Sequence, residues 1–469
     1  MEKIPSTLSD YEDPSNAEDY AQYKLDGYHP VSIGESFNNG RYLVIQKLGW
    51  GHFSTVLLVQ ETKTNNFFAL KIQKSKQNYY EAAMDELDLL RDLNKNSDAS
   101  TWKTSLEEYS LEFKDKFTLG PDETFVIRLL DSFVHIGMHG KHPCSVLELM
   151  GPNLLDLIQH YEHNNKMMDI WLVKHITKQV LFGLDFMHRI CNIIHTDLKP
   201  ENVMISLVEN KREDFVKKLK DYRKKPLSMK FLKFLKTQLG IGAKKKAVPG
   251  KDEKNGNDPK EESKKIDGDP IVPNGKIEKT GDEKTYDEKT LRWKENILIP
   301  LDENLRIKIV DFGNGCWTHK HFTNNIQTRE YRSPEVILGL EYKANTDIWS
   351  LACMVFEMLT NTFLFKPRKG ENYEKNDDHL ALMIETLGPI PKNMITVGKY
   401  SKNYFDKNGE LLRIHNIKEY PLKDILHNEF KYETETATAI EEFLLPMLQY
   451  DPKKRVDAKI ALKSPWLWS

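Results

Sequence analysis

The sequence predicts an α+β chain of two lobes: a small, β-rich N-lobe over residues 40–147 and a larger, mainly helical C-lobe over 148–208 and 291–469. An N-terminal extension (1–39) precedes them, and a long spacer insertion (209–290) splits the second. Three observations carry this reading. Period-two alternation and turn residues crowd the chain before residue 150, apolar spacing of i, i+3, i+4 dominates after it, and the composition changes abruptly at residue 209. A chain of 469 residues is long enough for two or three units, each with its own core.

Composition bounds the class. Hydrophobic residues at 39% and charged residues at 29% describe a soluble globular protein with surplus polar sequence. Cys144, Cys191, Cys316 and Cys353 are scattered without a Cys-x-x-Cys pair, which speaks against a disulfide framework or zinc ribbon and for a reducing compartment. The polar, acidic N-terminus has no basic stretch followed by an apolar run, so no signal peptide is expected. The longest apolar run, Leu351 to Leu359, is broken by Glu357 and reads as a buried core helix. Cytoplasm, nucleus or both are the expected compartments.

Residues 1–39 lack periodicity and read as an extended lead-in that packs only near its end. Arg41 to Leu48 alternates like a strand, and Gly49-Trp50-Gly51-His52-Phe53-Ser54-Thr55-Val56 follows. After a polar turn comes the strand Phe67-Phe68-Ala69-Leu70-Lys71-Ile72. Glycines in such a turn let backbone N–H groups approach phosphates, and a lysine ending the next strand binds them. Ser54 stands where a third glycine is usual, which a small residue allows only if its backbone angles permit. Residues 80–93 have a helical pattern with Ala83, Leu87 and Leu90 on one face. Glu86, 15 residues beyond Lys71, is placed to hold that lysine; the choice over Asp85 or Asp88 rests on helical phase and favours Glu86.

Residues 95–123 read as polar loop or short helix, followed by strands at 125–130 and 145–149. His135, His139 and His142 fall between those strands at a spacing that fits no common zinc pattern, so they are expected to be solvated loop histidines. From Trp171 to Met187 the apolar positions mark a long helix, which delivers the chain to Ile194-His195-Thr196-Asp197-Leu198-Lys199-Pro200-Glu201-Asn202. That loop gathers a candidate base for a hydroxyl (Asp197), a cation for a transferring phosphate (Lys199) and an amide oxygen for Mg²⁺ (Asn202).

The spacer holds 23 Lys or Arg against 16 Asp or Glu, an excess of +7, which leaves −9 for the rest of a chain of net charge −2. Residues 250–290 are almost without apolar content and are expected to be disordered. Residues 212–239 interleave aromatics and leucines with lysines, which suggests a basic amphipathic helix for a membrane surface, nuclear import or a partner, against the plainer reading of a solvated lysine-rich insert. Leu305 to Val310 alternates as a strand before Asp311-Phe312-Gly313; pairing it with Val203 to Ile205 as a hairpin would bring Asp311 near Asn202 at one metal site. Glu335 and Arg455 are expected to form a buried structural pair, and Asp347, opening the apolar helix, is placed to bond the catalytic-loop backbone.

These motifs, in this order over residues 40–469, resemble a eukaryotic protein kinase. More narrowly, Gly27-Tyr28-His29-Pro30-Val31, Leu48 to Val56, Ile194 to Asn202, Asn314-Gly315-Cys316-Trp317 and Ile326 to Ser333 resemble the SR-protein kinase family, whose catalytic domain is also split by a large spacer. That family lies within the larger kinase group that also contains the cyclin-dependent, mitogen-activated and Clk kinases, so the alternatives are a Clk-like or other kinase of the group with looser basic-site preference and a pseudokinase docking scaffold. The resemblance implies a bilobal kinase fold, ATP and Mg²⁺ as cofactors, and Arg-Ser-rich protein substrates of splicing. It assigns ATP contacts to Leu48, Gly49, Trp50, Gly51, Phe53, Ser54, Val56, Ala69 and Lys71, and to Leu147, Glu148 and Met150 in the connector between lobes. Lys71, Glu86, Asp197 and Lys199 become catalytic, with Asn202 and Asp311 holding metal. Asp378 and Glu385 correspond to an acidic docking groove, with Arg329 and Arg332 beside the substrate. Thr196 replaces the arginine that pairs with an activation-segment phosphate in most regulated kinases, which implies activity without that phosphorylation. Thr362 stands where relatives carry an acid, and Phe312 where many carry leucine. A monomer that does not bind nucleic acid is expected, and membrane contact by the spacer is not favoured.

Overall fold

The computed structural model describes residues 20–114, 117–120, 122–207, 216–217, 290–293 and 297–469. The expectations for residues 1–19, and almost all of those for the spacer and its basic helix, lie outside the described residues. The fold below belongs to the unit formed by residues 1–218 and 289–469.

Six strands form the N-lobe sheet, each pair antiparallel, in the order β1 (Ser36–Phe37), β2 (Tyr42–Trp50), β3 (Ser54–Glu61), β4 (Phe67–Gln73), β6 (Gly140–Glu148), β5 (Leu129–Gly137). Alternate residues of these strands, among them Val44, Leu57, Val59, Leu70, Ile72 and Val146, share one apolar cluster. Helix α1 (Gln77–Ser97) lies against β4 and β6 and buries Ala83, Leu87, Leu90 and Leu93, the stripe read from the sequence, although it extends beyond 80–93 at both ends.

One expectation left open is resolved and two need correction. Of the loop or short helix expected after α1, the helix forms, α2 (Ser100–Glu112), because Trp102 and Tyr109 bury its inner face and the Tyr109 hydroxyl donates to Asp185 Oδ2 at 2.7 Å. The strand expected from residue 125 starts at Leu129, since Phe125 is fully buried in a left-handed conformation at φ 54°. The histidines are not all solvated: His135 and His139 are half-buried, and His142, facing His135 across β5 and β6, is fully buried, which pushes its pKa down to about 4. A loop read from polarity alone missed this because strand alternation hides half of its residues in the lobe.

The C-lobe begins with β7 (Met150–Asn153) and α3 (Leu154–His163), whose start is closed by reciprocal bonds between Asn153 and Asp156 at 2.9 and 3.0 Å. Helix α4 (Ile170–Asp185) leads to β8 (Ile193–Ile194) and β9 (Val203–Ser206). Beyond the spacer come a hairpin of β10 (Thr290–Trp293) and β11 (Ile297–Pro300), then β12 (Ile307–Ile309), which pairs with β9 in the register Ile309↔Val203. The hairpin expected across the insertion therefore forms. Strand β13 (Cys316–Trp317) pairs with β8, and α5 (Pro334–Leu338) ends at Gly339, φ 72°, where a Cβ would fall 2.5 Å from the Tyr400 ring.

Helix α6 (Thr346–Thr360) is buried along its whole length and packs on α4, so its apolar run needs no membrane. Among the described residues no helix is long and apolar enough to cross one. Glu335 and Arg455 meet with both side chains fully buried, joined by bonds of 2.7 and 2.8 Å. Helix α7 (Lys375–Leu387) carries the acidic region. All four cysteines are buried and free.

Candidate active site

The β2–β3 turn forms a lid. Gly49 pairs with Val56 and Trp50 with Thr55, and reciprocal bonds between Gly51 and Ser54 of 2.9 and 3.3 Å close the end. A Cβ at Gly49 or Gly51 would meet nothing within 4 Å, so space is left beside the turn. Ser54 is not among the residues with positive φ, so the missing third glycine brings no backbone strain. Trp50 and Phe53 are exposed at the tip, and Leu48 and Val56 are half-buried behind it. Ala69 stands opposite Leu147 where β4 meets β6. In the connector Met150 is buried, and the Glu148 carboxylate is occupied by Lys308 Nζ at 2.6 Å and the Arg128 amide at 3.1 Å, leaving its main chain as the candidate adenine contact.

Beneath the lid, Lys71 Nζ lies 2.7 Å from Glu86 Oε1 and 3.1 Å from Asp311 Oδ1. Gln73 Nε2 donates to the other Glu86 oxygen at 3.0 Å, a support the sequence reading missed. The alternatives for Glu86 are used elsewhere: Asp85 faces Lys320 and Asp88 faces Arg91. Burial opposes the Lys71 charge, but Asp311 and Glu86 outweigh it and hold the ammonium above its usual range. Lys71 in turn lowers the Asp311 carboxyl.

The catalytic loop is held from below by Asp347, which accepts from the amides of His195 at 2.8 Å and Thr196 at 2.9 Å and from His188 Nε2 at 2.8 Å. Thr196 sits at φ 66° and donates from its hydroxyl to the Asn314 carbonyl at 2.6 Å. Asp197 Oδ1 receives the Thr328 amide and hydroxyl at 3.0 and 2.7 Å, while Oδ2 lies 2.9 Å from Lys199 Nζ. Lys199 also reaches the Thr328 hydroxyl at 3.1 Å. Thr328 belongs to the stretch that carries the resemblance, yet nothing in its local sequence marks it as a partner of Asp197. Asn202 Nδ2 donates to the Asp197 carbonyl at 2.9 Å, which fixes the amide and makes Oδ1 the atom available to a cation. The Val310 amide bonds the Asn202 carbonyl at 2.9 Å, so Asp311 follows directly on the residue tied to Asn202. A carboxylate and an amide oxygen, set beside the Lys71 ammonium, fit a hard oxygen-seeking cation.

The acidic region is divided. Glu374 and Asp377 form the start of α7, and the buried Asp377 pairs with Arg413 at 2.6 Å, so both serve the fold. Asp378, accepting from the Arg368 amide at 2.6 Å, and Glu385 remain half-exposed on a continuous helix at two-turn spacing. Thr362 is exposed. Arg329 donates to Asn376 Oδ1 at 2.6 Å and Arg332 to the Gln327 carbonyl at 2.8 Å, so both are engaged within the fold.

A six-stranded lobe over a helical one, with a phosphate lid above Lys71 and a base loop facing Asp311, defines a protein kinase. The family model described as protein kinase domain matches residues 42–223 and 293–467. The chain is similar to the Serine/threonine-protein kinase SRPK of Physarum polycephalum, 40% identical, over 97% of this chain and 92% of that one. It is also similar to Protein kinase dsk1 of Schizosaccharomyces pombe, 38% over 96% and 84% of the two chains, and to SRSF protein kinase 3 of Homo sapiens, 34% over 97% and 91%. The chain belongs to the SR-protein kinase family and is a protein serine/threonine kinase. A kinase domain takes ATP as phosphate donor together with a divalent cation.

Proposed function

We propose that this kinase transfers the γ-phosphoryl group of Mg·ATP to serine in Arg-Ser-rich segments of splicing or related RNA-processing proteins. The carrying observation is the juxtaposition of Asp197, Lys199 and Thr328 opposite the Lys71–Asp311 pair. Asp197 accepts the hydrogen bond of the substrate hydroxyl and orients it, Lys199 and Lys71 stabilise phosphate charge, and Glu86 holds Lys71. Asn202 and Asp311 would hold Mg²⁺, which would neutralise charge developing on the phosphates. The names of relatives such as SRSF protein kinase 3, the half-exposed Asp378 and Glu385, and the −9 balance outside the spacer all favour a cationic substrate. Phosphorylation of an Arg-Ser peptide but not of a Lys-Ser peptide, abolished in Asp197→Ala, is the expected result; equal rates on both peptides would sink the Arg-Ser assignment.

Activity is proposed to need no phosphate on the activation segment, because Thr196 latches Asn314 with a neutral hydrogen bond and its carbonyl accepts from Gln327 at 2.8 Å. Turnover after exhaustive phosphatase treatment is the check, and its loss would refute the point. The kinase is further proposed to act as a monomer in both cytoplasm and nucleus, the spacer governing the partition. Imaging the chain with and without the spacer tests this.

A further inference from the structure

We infer that His29, Glu35 and His135 form a structural site for a divalent transition cation of zinc type, remote from the catalytic cleft. Among the described residues, they are the one group of at least three His, Cys, Asp or Glu side chains whose ligand atoms all lie within 4.8 Å of one another. Two histidines and a carboxylate are a common zinc donor set.

Three independent observations favour a ligand over plain packing. First, His29 is 6% exposed, and neither ring nitrogen has a hydrogen-bond partner. Its nearest carboxylate oxygen, Glu35 Oε1, is 3.5 Å from Nε2, too far for a good bond, and the other oxygen is held by the Ser32 amide at 2.8 Å. Second, the ring lies against the bare backbone of Gly137, where a Cβ would fall 2.4 Å from His29 Nδ1, so the fold keeps this place open for the imidazole. Third, the neighbouring His142 has its Nδ1 on the Gln73 carbonyl at 2.7 Å, while its Nε2 is buried without a partner. A backbone carbonyl fixing one ring nitrogen so that the other presents its lone pair is the arrangement typical of metal-ligating histidines. The His142 ring centre lies 5.1 Å from that of His29, but His142 stands outside the group whose ligand atoms meet, so it borders the site and the fourth position is left to water.

Donor atoms sit about 3.3–3.6 Å apart around a tetrahedral ion bound at about 2.0–2.2 Å. Glu35 and His135 are half-exposed, and modest side-chain rotations would bring the cluster to that spacing. The sequence spacing of His135, His139 and His142 concealed the site because two of its ligands come from the lead-in some 100 positions earlier. His139 is not among them; its Nδ1 is engaged with the Tyr28 carbonyl at 2.7 Å. The ion would fasten the lead-in to the β5–β6 hairpin. It would thereby brace Tyr28, whose hydroxyl donates to the Gly51 carbonyl of the lid at 2.7 Å.

The test uses the untagged full chain, stripped with chelator and dialysed against Zn²⁺ or Co²⁺ in excess Mg²⁺, so that the cleft cations do not compete. One equivalent of zinc, a tetrahedral-type Co²⁺ absorption spectrum, and affinity reduced about tenfold or more in both His135→Gln and Glu35→Gln are expected. Both positions are half-exposed, and thermal melting verifies that the variants fold. No bound equivalent in the parent chain, or stoichiometry and spectrum unchanged in the folded variants, would overturn the site.

Discussion

Asp197 uses its two oxygens differently: Oδ1 is fixed by both hydrogen-bonding groups of Thr328, and Oδ2 lies against Lys199. Removing the Thr328 hydroxyl leaves the amide bond in place, so Thr328→Ala loosens the carboxylate without freeing it. A charged hydrogen bond is worth about 1.5–3 kcal/mol, so kcat should fall roughly 10–100-fold. Asp197→Ala should lose about 10²–10⁴-fold, the usual share of a proton-accepting group. Steady-state kinetics in which the two variants fell equally would show that Thr328 and Asp197 act as one unit.

A second residue has a pH signature. Glu357 is buried, and burial, with Glu201 and Glu330 nearby, pushes its carboxyl up to about 7 from 4.5, although the Tyr331 hydroxyl donates to it at 2.6 Å. A raised carboxyl means the folded state holds a proton that the unfolded chain has released. Stability therefore declines as pH rises from 4.5 to about 7, and the loss persists above that. Glu357→Gln should flatten that part of the profile and raise stability at pH 8 by on the order of 1–3 kcal/mol, measured by denaturant unfolding across pH.

Among the elements, magnitudes separate ion pairs that matter from those that do not. Arg455 and Glu335 tie the C-terminal region to α5 with no exposed side-chain surface, and breaking such a pair strands a buried charge. Arg455→Ala should destabilise by about 3–5 kcal/mol. Arg91 and Asp88 on α1 are equally close but half in water, so Arg91→Ala should stay within about 1 kcal/mol. Chemical denaturation of the two variants side by side checks the contrast. On the same scale, local sequence marked elements well where the apolar pattern was strong, on one face in α1 and on every face in α6. It left α2 open between loop and short helix, because polar composition hides Trp102 and Tyr109, and it failed at Phe125, where burial enforces a left-handed residue no propensity anticipates.

At the scale of the molecule, β9 and β12 pair although the spacer separates them in the chain. Their register is set by Val203, Ile205, Ile307 and Ile309 packing inward, not by the length of the connection. Loop-closure entropy grows only by about 0.6 kcal/mol per doubling of length. Replacing residues 219–288 with a short flexible linker should therefore leave Arg-Ser peptide kinetics unchanged and raise stability by about 1–2 kcal/mol. A linker variant that folds but loses turnover would show that the spacer takes part in catalysis.

The catalytic loop was legible because Asp197, Lys199 and Asn202 lie within six consecutive residues, where backbone geometry alone brings them together. Lys71 and Glu86 were legible through strand and helix phase. The amino-acid order by itself thus determined the helical and β-rich lobes and the family, and marked the glycine turn and the Asp197 loop as candidates. Only the tertiary structure decided that Thr328 holds Asp197, that Gln73 shares Glu86, and that His29 and Glu35 meet His135. Such contacts join segments tens to hundreds of residues apart, and their partners are chosen by packing and by the need to satisfy buried polar atoms, neither of which leaves a local signature.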